Sequence, residues 1–343
     1  MDRKKFRTMK ETLHPLNKLL RKFGSRTIGV LGDYMLDELV SGEATRISPE
    51  APVPVVLMDA YPSSKLSPGG AGNVAVNIRA LGGRPIPFGA IGMDLSGSQL
   101  RKELRKRGIP CDNLAGERQR LTPRKVRIAA RERQLLRLDF EKPAPISTKT
   151  VALLARSFAR WAPKLNGLVI SDYSKGSVQN ELSNQVTAIA RQRRIPVFVA
   201  PKPEHPEICR HSIAVVANLS DAEMMAGRVM RNRVSLEAAG RQLLALLDCS
   251  YLLIAGARTG MMLFEKGGAI HEVPDGREPA AELAGSQDAV LAALALAFCS
   301  GADIKEAAEL ASLAAGHAAL KFGAPEADRH PFLKAITGKP EEV

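Results

Sequence analysis

At 343 residues, with 45% hydrophobic and 25% charged side chains, the chain is long enough to bury a large core, either as one α/β domain or as two lobes. Its net charge of +13 is local: residues 1–26 hold +7 and residues 101–137 hold +9, so the rest is slightly acidic. Aromatic residues for base stacking are nearly absent from the second patch and no nucleic-acid-binding motif is present, which argues against nucleic acid as a partner.

Four cysteines, Cys111, Cys209, Cys249 and Cys299, lie far apart with no CxxC, which fits a reducing cytoplasm better than a zinc site or a disulfide framework. No apolar run reaches the length of a membrane span. In residues 1–26, Met9, Leu13, Leu16, Leu19, Leu20 and Phe23 recur at helical spacing. They predict a basic amphipathic helix docked on the body of the protein.

A strand over 28–31 is followed by Gly32, Asp33 and Asp37. "PVPVVLMDAYP", with its prolines, reads as an exposed edge strand. "GGAGNVAVNIRALGG" reads as a glycine turn entering a helix that stops at Gly82-Gly83, and "PIPFGAIG" as a strand before a basic helix over 96–109. "RKVRIAARERQLLRLDFE" contains two β-like runs. From residue 151 strands and helices alternate, ending in two alanine-rich helices over 288–300 and 304–320. That alternation predicts βαβ units and a mostly parallel sheet, with functional residues outside the carboxyl ends of its strands.

Four constellations can carry chemistry. Asp33 and Asp37 follow the first strand and can accept hydrogen bonds from sugar hydroxyls, or simply cap a helix. Gly69, Gly70 and Asn73 in "SPGGAGN" allow close backbone approach beside an amide that both donates and accepts. The motif is neither a Walker loop nor GxGxxG. Asp172 and Lys175 in "SDYSKGS" are placed to bind a hydroxyl and a phosphate, or to form a charged turn. In "ELAGSQDAV", Asp288 stands at a helix N-terminus, as a cap or as a general base beside amides that hold a transferring phosphoryl group.

Together these residues resemble the ribokinase-like (PfkB) sugar kinases, and more narrowly the heptose-7-phosphate kinase branch. The resemblance rests on "GDYMLDELVSGEATRISPEAPVPVV", "PGGAGNVAVNIRALGG", "RERQLLRLDFE", "VISDYSKG" and "NLSDAE", spread in order over 28–323. It implies a three-layer α/β/α ribokinase-like core with a mostly parallel sheet and a small β lid. Residues 1–26 would then be a basic helical extension, 27–335 the kinase domain, and the lid would come from segments within about 50–140. The nucleotidyltransferase domain fused to such kinases in many bacteria is expected to be absent.

The resemblance also assigns roles. Asp33, Asp37, Gly69, Gly70 and Asn73 would hold the sugar. Lys125, Arg127 and Arg137, with Asp172 and Lys175, would complete the substrate site and grip the phosphate already on the sugar. Asp288 would be the base and Gly285 part of the anion hole. Lys202, Asn218, Asp221, Gly260 and Ser312 would serve ATP, with Asn218 and Asp221 organising Mg²⁺ through water. A homodimer through the lid, a cytoplasmic location and a sugar-phosphate substrate follow from the same resemblance.

Departures concentrate on the nucleotide side. The family's GAGD is Gly285-Ser286-Gln287-Asp288, its NxxE ends at Asp221, its DPK is Ala200-Pro201-Lys202, and Ala255 replaces a threonine. A left-handed backbone at Gln287 would cost roughly 1–2 kcal/mol. A reshaped turn that lost an anion-hole donor would cost about 10²–10³-fold in rate. The leading expectation is therefore an ATP- and Mg²⁺-dependent kinase for the anomeric hydroxyl of D-glycero-β-D-manno-heptose 7-phosphate, serving ADP-heptose synthesis. Its alternative is a sugar-phosphate-binding pseudokinase with a regulatory or scaffold role.

Overall fold

A computed structural model describes residues 19–58, 64–130, 133–257, 260–273 and 286–318. Nine strands form the main sheet, in the order β14-β13-β12-β11-β10-β9-β1-β5-β6. They are β1 (Thr27–Gly32), β5 (Arg84–Gly92), β6 (Leu114–Glu117), β9 (Gly167–Ser171), β10 (Val197–Ala200), β11 (Ala214–Asn218), β12 (Tyr251–Ala257), β13 (Gly260–Glu265) and β14 (Ile270–Val273). All neighbours are parallel except the β12–β13 and β13–β14 pairs.

Strand alternation divides the core between two faces. Val169, Phe198, Val216 and Leu253 pack on one side with α2 (Ala71–Ala80), α3 (Leu95–Lys106), α8 (Ser286–Cys299) and α9 (Ile304–Ala318). Their neighbours Leu168, Val199, Val215 and Leu252 pack on the other. The helices there are α4 (Thr148–Trp161), α5 (Asn180–Gln192), α6 (Leu219–Ala226) and α7 (Arg233–Leu247). The result is the expected three-layer α/β/α core.

Residues 19–23 are helical, here called α1, and bury Leu19, Leu20 and Phe23 in the first of these clusters. Met9, Leu13 and Leu16 lie outside the described residues. Among the described residues, no helix is long and apolar enough to cross a membrane.

A second sheet has the order β3-β2-β7-β8, with β4 also paired to β2. Its strands are β2 (Tyr34–Ile47), β3 (Pro54–Leu57), β4 (Ser64–Gly70), β7 (Arg124–Ala130) and β8 (Arg133–Phe140). This is the lid, and it starts earlier than the sequence predicts. Instead of a turn after β1, the chain runs directly into the 14-residue β2, which leaves the core and becomes the lid's central strand. All of β8 is exposed, and Leu136 and Phe140 on it are 51% and 56% exposed.

Candidate active site

The parallel strands deliver their carboxyl ends to one edge of the core sheet. Asp33 follows β1, Asp172 and Tyr173 follow β9, Lys202 follows β10, and Asn218 ends β11. Helices α2 and α8 bring their first turns to the same edge, Asn73 on one and Asp288 on the other. Asn73 Nδ2 donates to Asp288 Oδ2 at 2.8 Å. The Tyr173 hydroxyl donates to Asp288 Oδ1 at 2.7 Å. Burial pushes the Asp288 carboxyl up to about 7, against those two hydrogen bonds, and the nearby Asp37 charge adds to the rise. A carboxylate poised near neutrality is suited to take a proton from a hydroxyl.

The glycine pair stands just before the turn of α2 that carries Asn73. Gly70 caps α2 with φ of 58°, and a side chain there would run into the Asp33 carbonyl and Met35. A Cβ at Gly69 would overlap the Asp37 carboxylate. Glycine at 69 therefore lets Asp37 lie flat against β4, where Asp37 pairs across the strands with Ser67 and, on β7, with Lys125.

The lid cations arrive already paired with acids. Arg127 NH1 donates to Asp37 Oδ1 at 2.6 Å. Asp139 accepts from Lys125 Nζ at 3.2 Å and from Arg137 at 2.8 and 2.9 Å. Burial opposes it, but the Arg137 and Lys125 charges hold the Asp139 carboxyl below its ordinary range. Lys175 Nζ donates to Glu141 at 2.7 Å, and Lys125 lies 3.6 Å from the other Glu141 oxygen. Lys125, Arg137 and Lys175 are thus strung along two carboxylates, with Arg127 beside them on Asp37.

Two predicted substrate residues do different work. Asp33 is 1% exposed, and it accepts the backbone N–H groups of Tyr173, Lys175 and Ser177 at 3.0, 2.9 and 2.8 Å. It builds the 173–177 loop and does not cap a helix. Asp172 accepts from the Ser174 amide at 2.8 Å and lies 2.7 Å from His205 Nδ1, with the Lys202 amide at 3.3 Å. Burial raises its pKa, while the Ser174 amide and His205 restrain the rise. Both acids help shape turns at the strand ends.

On the nucleotide side, Asn218 is the N-cap of α6, accepting the Asp221 amide at 2.7 Å. Asp221 Oδ2 accepts from Lys202 Nζ at 2.8 Å and Asn218 Nδ2 at 2.9 Å. The Lys202 ammonium also stands 5.7 Å from the centre of the Tyr173 ring, so Tyr173 touches both halves of the site. One carboxylate and one amide suit a magnesium ion that keeps most of its waters and is held chiefly by phosphate oxygens.

Gln287 corrects the strain argument. It sits in the first turn of α8 and is not among the positive-φ residues, so no left-handed conformation is required. Its side chain accepts from Asn218 Nδ2 at 3.1 Å and donates to the Val216 carbonyl at 3.0 Å. The residue in the glycine's place thereby ties the α8 N-terminus to the end of β11. Gly285 lies outside the described residues. Gly260 opens β13 at φ of 114°, and Ser312 is buried on α9, which packs on α8.

Sequence reasoning missed Tyr173, Gln287 as a hydrogen-bonding group, and Arg120. Arg120 is 7% exposed and donates to the carbonyls of Ala144 at 2.8 Å and Lys175 at 2.6 Å, clamping the 173–177 loop. The place of Tyr173 inside "SDYSKGS" was the only available signal.

The profile of the pfkB family carbohydrate kinases matches residues 38–329. The chain belongs to that family. The Bifunctional protein HldE of Geobacter metallireducens is 37% identical over 294 residues, covering 86% of this chain and 59% of the relative. That of Pseudomonas aeruginosa (strain UCBPP-PA14) is 36% identical over 315 residues, covering 92% and 64%. The chain thus spans about three fifths of the length of these relatives. Escherichia coli phosphofructokinase-2, solved in complex with potassium, superposes with TM-score 0.72 at 17% identity, over 91% of this chain and 98% of its own. Arabidopsis thaliana ribokinase, complexed with ribose and ATP, superposes with TM-score 0.69 at 16% identity, over 91% and 98%. Both establish the ribokinase-like fold.

Proposed function

We propose that this pfkB-family chain is a kinase that transfers the γ-phosphoryl group of ATP to the anomeric hydroxyl of a heptose 7-phosphate, best D-glycero-β-D-manno-heptose 7-phosphate. The observation that carries the reading is Asp288, a buried carboxylate with its pKa at about 7, held by Asn73 and Tyr173 behind the Gly69-Gly70 pair. Asp37 and Asn73 orient the sugar. Asp288 takes the hydroxyl proton as the sugar oxygen bonds to the γ-phosphorus and the bond to the ADP oxygen breaks. Amides at the start of α8 face the charge of the transferring group. Lys202 faces the donor phosphates, and Asn218 and Asp221 would hold a Mg²⁺ ion, which would supply neutralising charge there.

Lys125, Arg127, Arg137 and Lys175 receive the phosphate already on the sugar, which exchanges with Asp139 and Glu141 as their partner. The heptose assignment is supported by the lid motif and by the similarity to the HldE proteins. The integrated side chain of Gln287 supports a working site over a decayed one.

The test is ADP release by the purified protein with ATP, Mg²⁺ and either heptose 7-phosphate or fructose 6-phosphate. Turnover is expected with the heptose, and the hexose is expected to be the poorer substrate. Calorimetric binding of the heptose phosphate without turnover of either sugar would sink the kinase reading in favour of a binding protein.

A further inference from the structure

A second cationic site lies away from Asp288. An open cleft of about 680 Å³ forms where the loop after β6, the 142–145 segment and the first three turns of α4 meet. Arg118, Arg120, Lys142, Lys149 and Arg156 line it against a single carboxylate, Glu117. Glu117 is committed elsewhere, since it accepts from the Ser147 amide and hydroxyl, both at 2.9 Å, at the N-terminus of α4. Arg118, Lys142, Lys149 and Arg156 have no ion-pair or hydrogen-bond partner among the described residues. The contrast with the lid is sharp, because Lys125, Arg127, Arg137 and Lys175 each face an acid. Four unneutralised cations around one cleft repel one another, and a bound polyanion relieves that repulsion.

The residues lining the cleft do not include Asp288, Asn73, Tyr173, Lys202 or Asp221. Arg120 forms its inner wall, joining Ala144 at the cleft to the Lys175 carbonyl on the loop and lying 4.0 Å from Asp33. The volume suits a small molecule. No aromatic side chain lines it, so nothing there would stack a base, and recognition would fall on phosphate groups.

We propose that this cleft binds a small metabolite bearing two or more phosphate groups, at a site distinct from the one that holds Asp288. The inference does not depend on the kinase reading. The probe is inorganic tripolyphosphate, titrated calorimetrically into the full chain without Mg²⁺. Saturable binding is expected, unchanged within about twofold by Lys202→Ala and weakened about tenfold or more by Arg118→Glu with Arg156→Glu. Arg118→Ala with Arg156→Ala supplies a milder loss should the charge reversals disturb folding, which circular dichroism would show. Absence of binding, binding removed by Lys202→Ala, or binding indifferent to the arginine changes would overturn the proposal. So would uptake of a duplex oligonucleotide with none of tripolyphosphate.

Discussion

Strand β2 runs from the core into the lid, and the core and the lid hold their acids in opposite ways. Its first six residues, Tyr34–Leu39, are buried, while the rest alternates toward solvent in the lid. On the core side, burial raises the proton affinity of Asp288, against the hydrogen bonds donated by an amide and a phenol. On the lid side, Asp139 sits between Lys125 and Arg137, and its proton affinity falls. The difference separates two tasks. Under the proposed mechanism, the acid that would take the proton is shielded by burial, whereas the cations that would take a phosphate rest on partly exposed acids. Partly exposed ion pairs of this kind contribute little stability, so exchanging the partner costs little.

The comparison breaks most directly at Asp288. Asp288→Asn is expected to lower ADP release by about 10²–10⁴-fold or more, since it removes the base. In the wild type, kcat/KM should fall tenfold per pH unit below about 7, as protonation of Asp288 removes the active form. The same raised pKa makes the ionised carboxylate a burden on folding, fully present above about pH 7 and gone below about pH 4. Asp288→Asn should therefore be the more stable protein at pH 8, by at most about 4 kcal/mol, with the two melting curves converging near pH 4. A wild type more stable than the variant at pH 8 would contradict the burial argument.

Next in size is the lid. Arg127→Ala and Lys175→Ala should each raise KM for the sugar phosphate about tenfold while leaving KM for ATP within about twofold, because each removes a charge-assisted contact to one substrate. Equal effects on both substrates would mean that the lid cations do not read the sugar's phosphate. Tyr173→Phe sharpens the core side. Loss of a donor to the ionised form should shift the acid limb upward by up to about one pH unit, with the rate at pH 9 nearly restored. The smallest effect is at Gln287. Gln287→Gly should lose about 1–2 kcal/mol of stability with its two side-chain bonds and should not accelerate turnover. A rate gain of about 10²-fold would show instead that the glutamine damages the anion hole.

Much of this was legible in one dimension. Short continuous apolar runs in "GLVIS" and "VFVA" announced buried strands, and the glycine pair before a helical pattern placed α2 and Asn73 correctly. The 14-residue reach of β2 was not legible, because a strand that is buried at one end and two-faced at the other carries no single period. Nor did "GSQD" disclose that Gln287 would lie in helix, since its partners on β11 stand about seventy residues earlier, at separations of 69 and 71.

The amino-acid order by itself determined the layered α/β/α arrangement, the strand ends at which polar residues gather, and the carboxylate at the head of α8. Those properties follow from side-chain spacing over a few residues, where helix and strand geometry act. Tertiary structure alone decided which acid is buried with a raised pKa and which acids build turns. Asp33 and Asp172 look equally chemical in the sequence, but backbone amides and His205 claim them. Asp288 acquires its raised pKa only when folding buries it, and Asn73 and Tyr173, 215 and 115 residues away, restrain the rise. A pKa is set by burial and by the groups within a few ångströms, and that neighbourhood exists only once the chain has folded.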